Sequence, residues 1–268
     1  EVEYYTVLKC DGYEYKSNAL KFTLATCSHP EDSFNNETDG LVFCGICDLL
    51  IEAEVVDADG KSLGYAGLNR AIKLAQENEG STVKLISERV PASITVTGGK
   101  FTVDFNGKEA YCQFTVNGGD VTFTSSAVQD VSNQNLPSGI TVNGTDAKVT
   151  IDGKIKLGSV TLTSGTLTVN STQGYIKELS INGGNAVIDG ANIDALSING
   201  GATVINGANI DALKTYGGDT VINDVNADSL TMCDNRSGGS EYNISIVSGM
   251  FGSFTCENGS NYTLGRAI

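Results

Sequence analysis

This chain is short of several things. It has no tryptophan, three prolines and a single histidine. Lysine and arginine together number 17 against 32 acidic residues, which leaves a formal net charge of −15. So acidic a chain has nothing with which to replace the counterions of a phosphate backbone, and nucleic acid is set aside as a partner. Anionic membrane surfaces are disfavoured for the same reason, and high acidity suits a secreted or cell-surface protein. No run of roughly eighteen apolar residues is present, so no membrane-spanning helix is expected in this segment. A helical apolar period is found in one short stretch only, which argues against a helical bundle.

What the chain has in quantity is glycine, 32 residues of it, and a repeat. Ser180–Leu196 reads SINGGNAVIDGANIDAL, Ser197–Leu213 reads SINGGATVINGANIDAL, and Lys214–Leu230 reads KTYGGDTVINDVNADSL. A short fixed period means one small unit stacked on copies of itself. The unit is made of Ile, Val, Thr, Asn, Asp and Gly, with β-branched residues for short strands and Asn, Asp and Gly for turns. It reads as one coil of a parallel β-helix, with strand segments at 179–181, 186–188 and 191–193. Turns are expected at Asn182-Gly183-Gly184, Asp189-Gly190 and Asp194-Ala195. The glycine pairs at 183/184, 200/201 and 217/218 are expected to mark a corner of positive φ.

Stacking turns the repeat into ladders with a rung spacing of about 4.8 Å. Leu179, Leu196, Leu213 and Leu230 form one, and Ile188, Ile205 and Ile222 another. Both are expected in the core. Asn192, Asn209 and Asn226 form an amide ladder, whose side chains can hydrogen-bond along the stack. Asp194, Asp211 and Asp228 form a carboxylate ladder. Like charges this close repel, so they belong at a hydrated corner. They are either solvated turn residues or a candidate cation site or acidic binding strip.

Three segments precede or begin the repeat region. Residues 1–26 alternate around Asp11-Gly12, with strands expected at Tyr4–Lys9 and Ala19–Leu24. Residues 27–62 hold the sharpest chemical signal. Cys27-Ser-His29 is followed by Cys44-Gly-Ile-Cys47, which gathers the only histidine with three of the seven cysteines. Two close pairs of soft ligands separated by a loop can close a tetrahedral zinc site of structural type. A disulfide from Cys27 to Cys44 or Cys47 is the other reading. The stretch 48–62 alternates like a strand, turns at Asp59-Gly60 and is expected to link the knuckle to the next domain. From residue 63 onward the β-helix is expected. Residues 65–78 open it as a helix, with Leu68, Ala71, Ile72 and Ala75 on one face and Gly80 as a stop. About nine coils are expected between Thr82 and Leu264. Cys10, Cys112, Cys233 and Cys256 read as free thiols, with Cys233 and Cys256 one coil apart.

The helix pattern L-x-x-A-I-x-x-A, then Gly, then T-V-x-L resembles the start of the pectate-lyase-like right-handed parallel β-helices. That resemblance implies an all-β solenoid of right hand whose N-terminal edge is capped by the helix. The Cys-x-His…Cys-x-x-Cys spacing resembles knuckles of Gram-positive gut-bacterial surface proteins. Residues 1–26 resemble the last strands of a bacterial immunoglobulin-like domain, which implies the tail of a larger domain.

Two functions are expected. The first is a non-catalytic extracellular or cell-surface module, a rigid rod for structure or adhesion whose partner is a glycan or a surface protein. The second is a polysaccharide lyase or glycoside hydrolase acting through Asp residues on the β-helix face. Lyases on this fold need a positioned basic residue, and Arg236, Arg266, Lys177 and Lys214 are the ones offered. A hydrolase needs two carboxylates about 5–10 Å apart, a separation that any acidic ladder produces without purpose.

Overall fold

A computed structural model describes residues 2–4, 7–10, 13–17, 20–22, 27–36, 40–130, 136, 138–233 and 243–257. Asp11, Gly12, Asp234, Arg236, Arg266 and much of the loop at Gln129–Pro137 lie outside these ranges, as do parts of the expected strands Tyr4–Lys9 and Ala19–Leu24. In chain order the first strands are β1 (Val2–Tyr4), β2 (Val7–Cys10), β3 (Tyr13–Lys16) and β4 (Leu20–Phe22). β1 pairs antiparallel with β4 and β2 with β3, so the inner pair is nested in sequence between the outer one. A short 3₁₀ turn at Glu31–Ser33 leads into β5 (Phe34–Asn36), which pairs antiparallel with β6 (Val42–Cys44).

The solenoid starts with β7 (Ala53–Val56) and β8 (Ser62–Ala66), a hairpin closed where the Asp57 carboxylate accepts the Asp59 and Lys61 amides. Helix α1 (Leu68–Glu77) and β9 (Ser81–Leu85) come next. β7 pairs antiparallel with β9. The segment read from sequence as a linker therefore contains the sheet's first strand. Tyr65 and Ala66 pair with β7, which is why the helix begins three residues later than its periodicity suggests. The Glu52 carboxylate accepts the Leu68 amide at 2.6 Å and satisfies one orphan donor of the helix. Leu68, Ala71, Ile72 and Ala75 are all buried in the solenoid core. The helix thus covers the first coil, and the β7–β8 hairpin occupies the sheet edge there.

Two long strands, β10 (Pro91–Asp104) and β11 (Tyr111–Thr124), each run through both sheets of a coil. Shorter strands then alternate between the sheets: β12 (Gly139–Val142), β13 (Lys148–Asp152), β14 (Lys156–Leu162) and β15 (Thr166–Asn170). The regular repeats continue as β16 (Tyr175–Ile181), β17 (Asn185–Asp189), β18 (Asn192–Ile198), β19 (Ala202–Asn206), β20 (Asn209–Thr215) and β21 (Asp219–Asn223). β22 (Val225–Cys233), β23 (Ile244–Ile246) and β24 (Gly249–Glu257) complete the stack. From β11 onward each strand pairs in parallel with the next but one, which is the signature of a β-helix. The molecule is a parallel β-solenoid of about 8 turns. Nine were expected from length. The coils entering β12 and β23 carry longer connections, between Thr124 and Gly139 and between Cys233 and Ile244, and so consume more chain per turn.

The ladders are present in register. Leu179, Leu196, Leu213 and Leu230 stack in one sheet, and Ile188, Ile205 and Ile222 in the other, all buried. Each such side chain contributes about 1.5–3 kcal/mol by leaving water. The wide early coils are filled instead by Phe105, Phe114 and Phe123, with the last two ring centroids 4.9 Å apart.

Amide pairing is broader than the sequence suggested. Asn209 donates to Asn192 at 3.2 Å, and Asn226 is in register with Asn209. Asn199 donates to Asn182 at 2.7 Å, Asn206 to Asp189 at 2.6 Å and Asn223 to Asn206 at 2.9 Å. The turn expected at Asp194-Ala195 is instead a bend inside one strand. Both residues are only partly buried, between inward Ile193 and inward Leu196.

One inward position conflicts with hydropathy. Strand alternation fixed by the Ile188, Ile205 and Ile222 ladder turns Ala186, Thr203 and Thr220 inward and the valines between them outward. The hydroxyls of Thr203, Thr215 and Thr220 are buried and have no hydrogen-bond partner among the described residues. Each unmet hydroxyl costs about 1–3 kcal/mol. Thr203→Val, which keeps shape and removes the hydroxyl, is expected to stabilise the protein by about 1 kcal/mol in denaturant unfolding. An unchanged or lower midpoint would mean that the hydroxyl is hydrogen-bonded in solution.

Candidate metal centre

The sequence brings four ligand-type side chains to one place by folding a knuckle. β6 ends at Cys44, and a tight turn carries the chain through Gly45 and Ile46 to Cys47. The Cys44 amide donates to the Leu49 carbonyl at 2.9 Å, and the Asp48 amide to the Cys44 carbonyl at 2.8 Å. Gly45 must be glycine here, because a Cβ would lie 2.7 Å from the Ser33 carbonyl oxygen, which accepts the Gly45 amide. The second arm comes from Cys27-Ser-His29. His29 adopts φ of 49°, a left-handed conformation that turns its ring back toward the cysteines.

One donor atom from each of Cys27, His29, Cys44 and Cys47 lies within 4.8 Å of the other three. Cys27 Sγ is 3.5 Å from Cys44 Sγ, and Cys47 Sγ is 3.5 Å from His29 Nδ1. Tetrahedral zinc, with Zn–S near 2.3 Å and Zn–N near 2.0 Å, sets neighbouring donors about 3.5–3.8 Å apart. The cluster therefore fits a four-coordinate ion. Cys27, Cys44 and Cys47 are free thiols, so neither expected disulfide is formed. The His29 ring, the amides of Ile46 and Cys47 and the Ser33 hydroxyl hold the Cys44 thiol down at about 5, against the effect of its burial. Metal binding needs the thiolate, and these donors favour it.

The knuckle is fastened to the solenoid. Val42, Cys44 and Ile51 make a small buried core against Phe34, Tyr65 and Ile86. The Ser87 hydroxyl, itself buried, accepts the Val42 amide at 3.0 Å and donates to the Ile51 carbonyl at 2.6 Å. Phe34 meets Tyr65 edge-on with centroids 4.9 Å apart. These fastenings were not legible in the sequence, because Tyr65, Ile86 and Ser87 sit in strand and loop text with no local sign of a distant partner.

Asp194, Asp211 and Asp228 occupy successive rungs at the strand bend, in register with Lys177 before them and Gly252 after. Asp211 and Asp228 are exposed and Asp194 is half-buried. The Tyr175 hydroxyl donates to Asp194. Among the described residues the Cys/His cluster is the one group of three or more such side chains gathered closely enough for a metal, and the Asp ladder does not join it.

Partial desolvation, and then the charges of Asp194 and Asp228, push the Asp211 carboxyl above its usual range. A carboxyl whose folded pKa is raised makes folding less favourable as pH climbs through that range. Asp211→Asn should therefore raise the melting midpoint slightly at neutral pH. The gain should vanish once pH falls below the ordinary carboxylate range. A gain that persists at acid pH would assign the effect to something other than charge.

Cys112 and Cys233 are buried and Cys256 is exposed. Burial pushes the Cys112 thiol up to about 12. Cys256 is in register with Met232, and Cys233 with Glu257, so the two cysteines fall one position out of step. No family model matches this chain, and no curated protein or solved structure is significantly similar to it.

Proposed function

We propose that this chain is a rigid, non-catalytic structural or adhesion module of a secreted or cell-surface protein, with one zinc ion held by Cys27, His29, Cys44 and Cys47. The observation that supports it is the unbroken apolar stack. From Ile94 through Phe114, Ile140, Val160 and Leu179 to Leu230, one buried side chain stands on the next, coil after coil. A stack hydrogen-bonded through every rung resists bending and shear along its length, which is what a spacer needs. Four protein donors leave zinc no open position, so the ion's role is to hold a segment too small to fold by hydrophobic burial alone. The solenoid's capping helix and T-V-x-L strand support a place beside the pectate-lyase-like β-helices of surface proteins. The fold by itself carries no activity.

A polysaccharide degradation screen tests the non-catalytic reading. It tracks new reducing ends and the ultraviolet absorbance of unsaturated uronates. Silence across acidic and neutral glycans is expected. Turnover that disappears in Asp211→Asn would replace the spacer with an enzyme whose site is the Asp ladder.

A further inference from the structure

A cleft of about 480 Å³ opens between the knuckle and the first solenoid strands. Ligand pockets run from about 300 to 1,000 Å³, so it has room for a small molecule. Its apolar lining, Phe34, Val42, Tyr65 and Ile86, belongs to the small cluster that fastens the knuckle to the solenoid.

The cleft has an apolar base and a polar rim. Phe34, Val42 and Ile86 supply the apolar part, with the Tyr65 ring set edge-on to Phe34. The Tyr65 hydroxyl donates to Glu31 Oε2 at 3.0 Å, and Glu54 lies close to the same hydroxyl. Burial, then Glu31 and Glu54, push the phenol up to about 12, so it remains a donor at any physiological pH. The rest of the polar lining is Asn36, Asn106, Lys84 and Lys108. Lys108 is neutralised by Glu88 at 3.1 Å. The Lys84 ammonium has no ion-pair or hydrogen-bond partner among the described residues, although Glu54 is its register neighbour on the adjacent strand.

This arrangement selects by charge. A free anion entering the cleft meets the carboxylates of Glu31 and Glu54. A free cation meets Lys84. What the rim offers without penalty is a set of interleaved acceptors and donors: two carboxylates, two side-chain amides, a phenol and an ammonium. Hydroxyl groups both donate and accept, and can satisfy such a set. An apolar ring face against Phe34 and Tyr65 completes the fit for a molecule that is polar at its edges and apolar on its faces.

We infer that the cleft between β5–β6 and β7–β9 is a binding site for a neutral sugar residue, with Glu54 and Lys84 hydrogen-bonding its hydroxyls over the Phe34 and Tyr65 rings. The site is independent of the spacer reading: a spacer that binds no sugar there is still a spacer, and an enzyme acting at the Asp ladder would leave the cleft unaffected.

The experiment is an amide chemical-shift titration of the whole chain as purified. The probes are glucose, galactose, mannose, N-acetylglucosamine and the β-linked disaccharides of each, with glycine and inorganic phosphate as charged probes. At least one neutral sugar is expected to shift the signals of Phe34, Asn36, Glu54, Tyr65 and Lys84 saturably, with Kd on the order of 1 mM. Glu54→Gln and Lys84→Gln should each weaken it about 10-fold, through loss of a charged hydrogen bond. Both variants should keep the remaining spectrum, and Asp211→Asn should bind as the parent does. Three results would overturn the inference: no saturable shift with any neutral sugar, tighter binding of glycine or phosphate at these same residues, or shifts confined to the Asp ladder.

Discussion

Gly201→Val should lower the stability of the solenoid by on the order of 3 kcal/mol. Gly201 has φ of 79°, a conformation that costs a residue with a Cβ about 1–2 kcal/mol. Valine fares worse, because its branch crowds the same backbone. Space is the second cost. A Cβ on Gly201 would lie 2.5 Å from the Gly184 carbonyl oxygen, which accepts the Ala202 amide at 2.9 Å. The atom in the way is backbone already committed to a hydrogen bond between coils, so it cannot swing aside as a side chain would. The same contact recurs at Gly119 on Gly99, Gly184 on Gly165 and Gly218 on Gly201, a glycine ladder along one corner. Thermal unfolding should show the midpoint falling by about 6–12 °C. Gly207 supplies the contrast. It also has positive φ, 59°, but nothing lies within 4 Å of where its Cβ would be. Gly207→Val should lose only the conformational cost, about 1–2 kcal/mol, because there is room for the side chain. Equal losses at both sites would mean that strain alone, and not the close approach of coils, requires the glycines.

Removing the metal is expected to undo the knuckle and leave the solenoid standing. The two have separate buried clusters, and the knuckle's own core is little more than Val42, Cys44 and Ile51. Structural zinc binds finger-type peptides with about 10–16 kcal/mol at pH 7, which is folding free energy that so small a core cannot replace. Elemental analysis of freshly purified protein should find one zinc per chain, and Cys44→Ser should find none. In that variant, amides of residues 40–51 should exchange as fast as an unfolded chain while those of 139–230 stay protected. Parent protein without stoichiometric metal but with a protected knuckle would mean that no zinc is held there, and that the Ser87 and Tyr65 contacts keep the knuckle folded.

Much of the architecture could be read from residues. The seventeen-residue repeat gave the ladders, because a β-helix stacks equivalent residues and each Leu or Ile rung needs the next. The apolar face at Leu68, Ala71, Ile72 and Ala75 gave the helix, its place as a cap came only with the resemblance to pectate-lyase-like β-helices, and the spacing of Cys27, His29, Cys44 and Cys47 pointed to one cluster. Other features depend on partners that lie far off in sequence. β7 alternates like any half-buried strand, and nothing in its text says that it pairs with β9. Thr203 and Thr220 look like outward residues beside valine, yet parity set by the Ile ladder turns them inward. The cleft is a meeting of surfaces from residues 31 to 108, and no local pattern announces it.

A rigid, continuous stack has one clear signature in native-state hydrogen exchange. Strands from β12 to β22 should exchange slowly and together, at a rate set by cooperative opening of the whole array. Exchange of β16 to β20 coil by coil, at the rate of the connection after Thr124, would refute the spacer: the rungs would then open singly, and the chain would be too soft along its length to hold two ends apart.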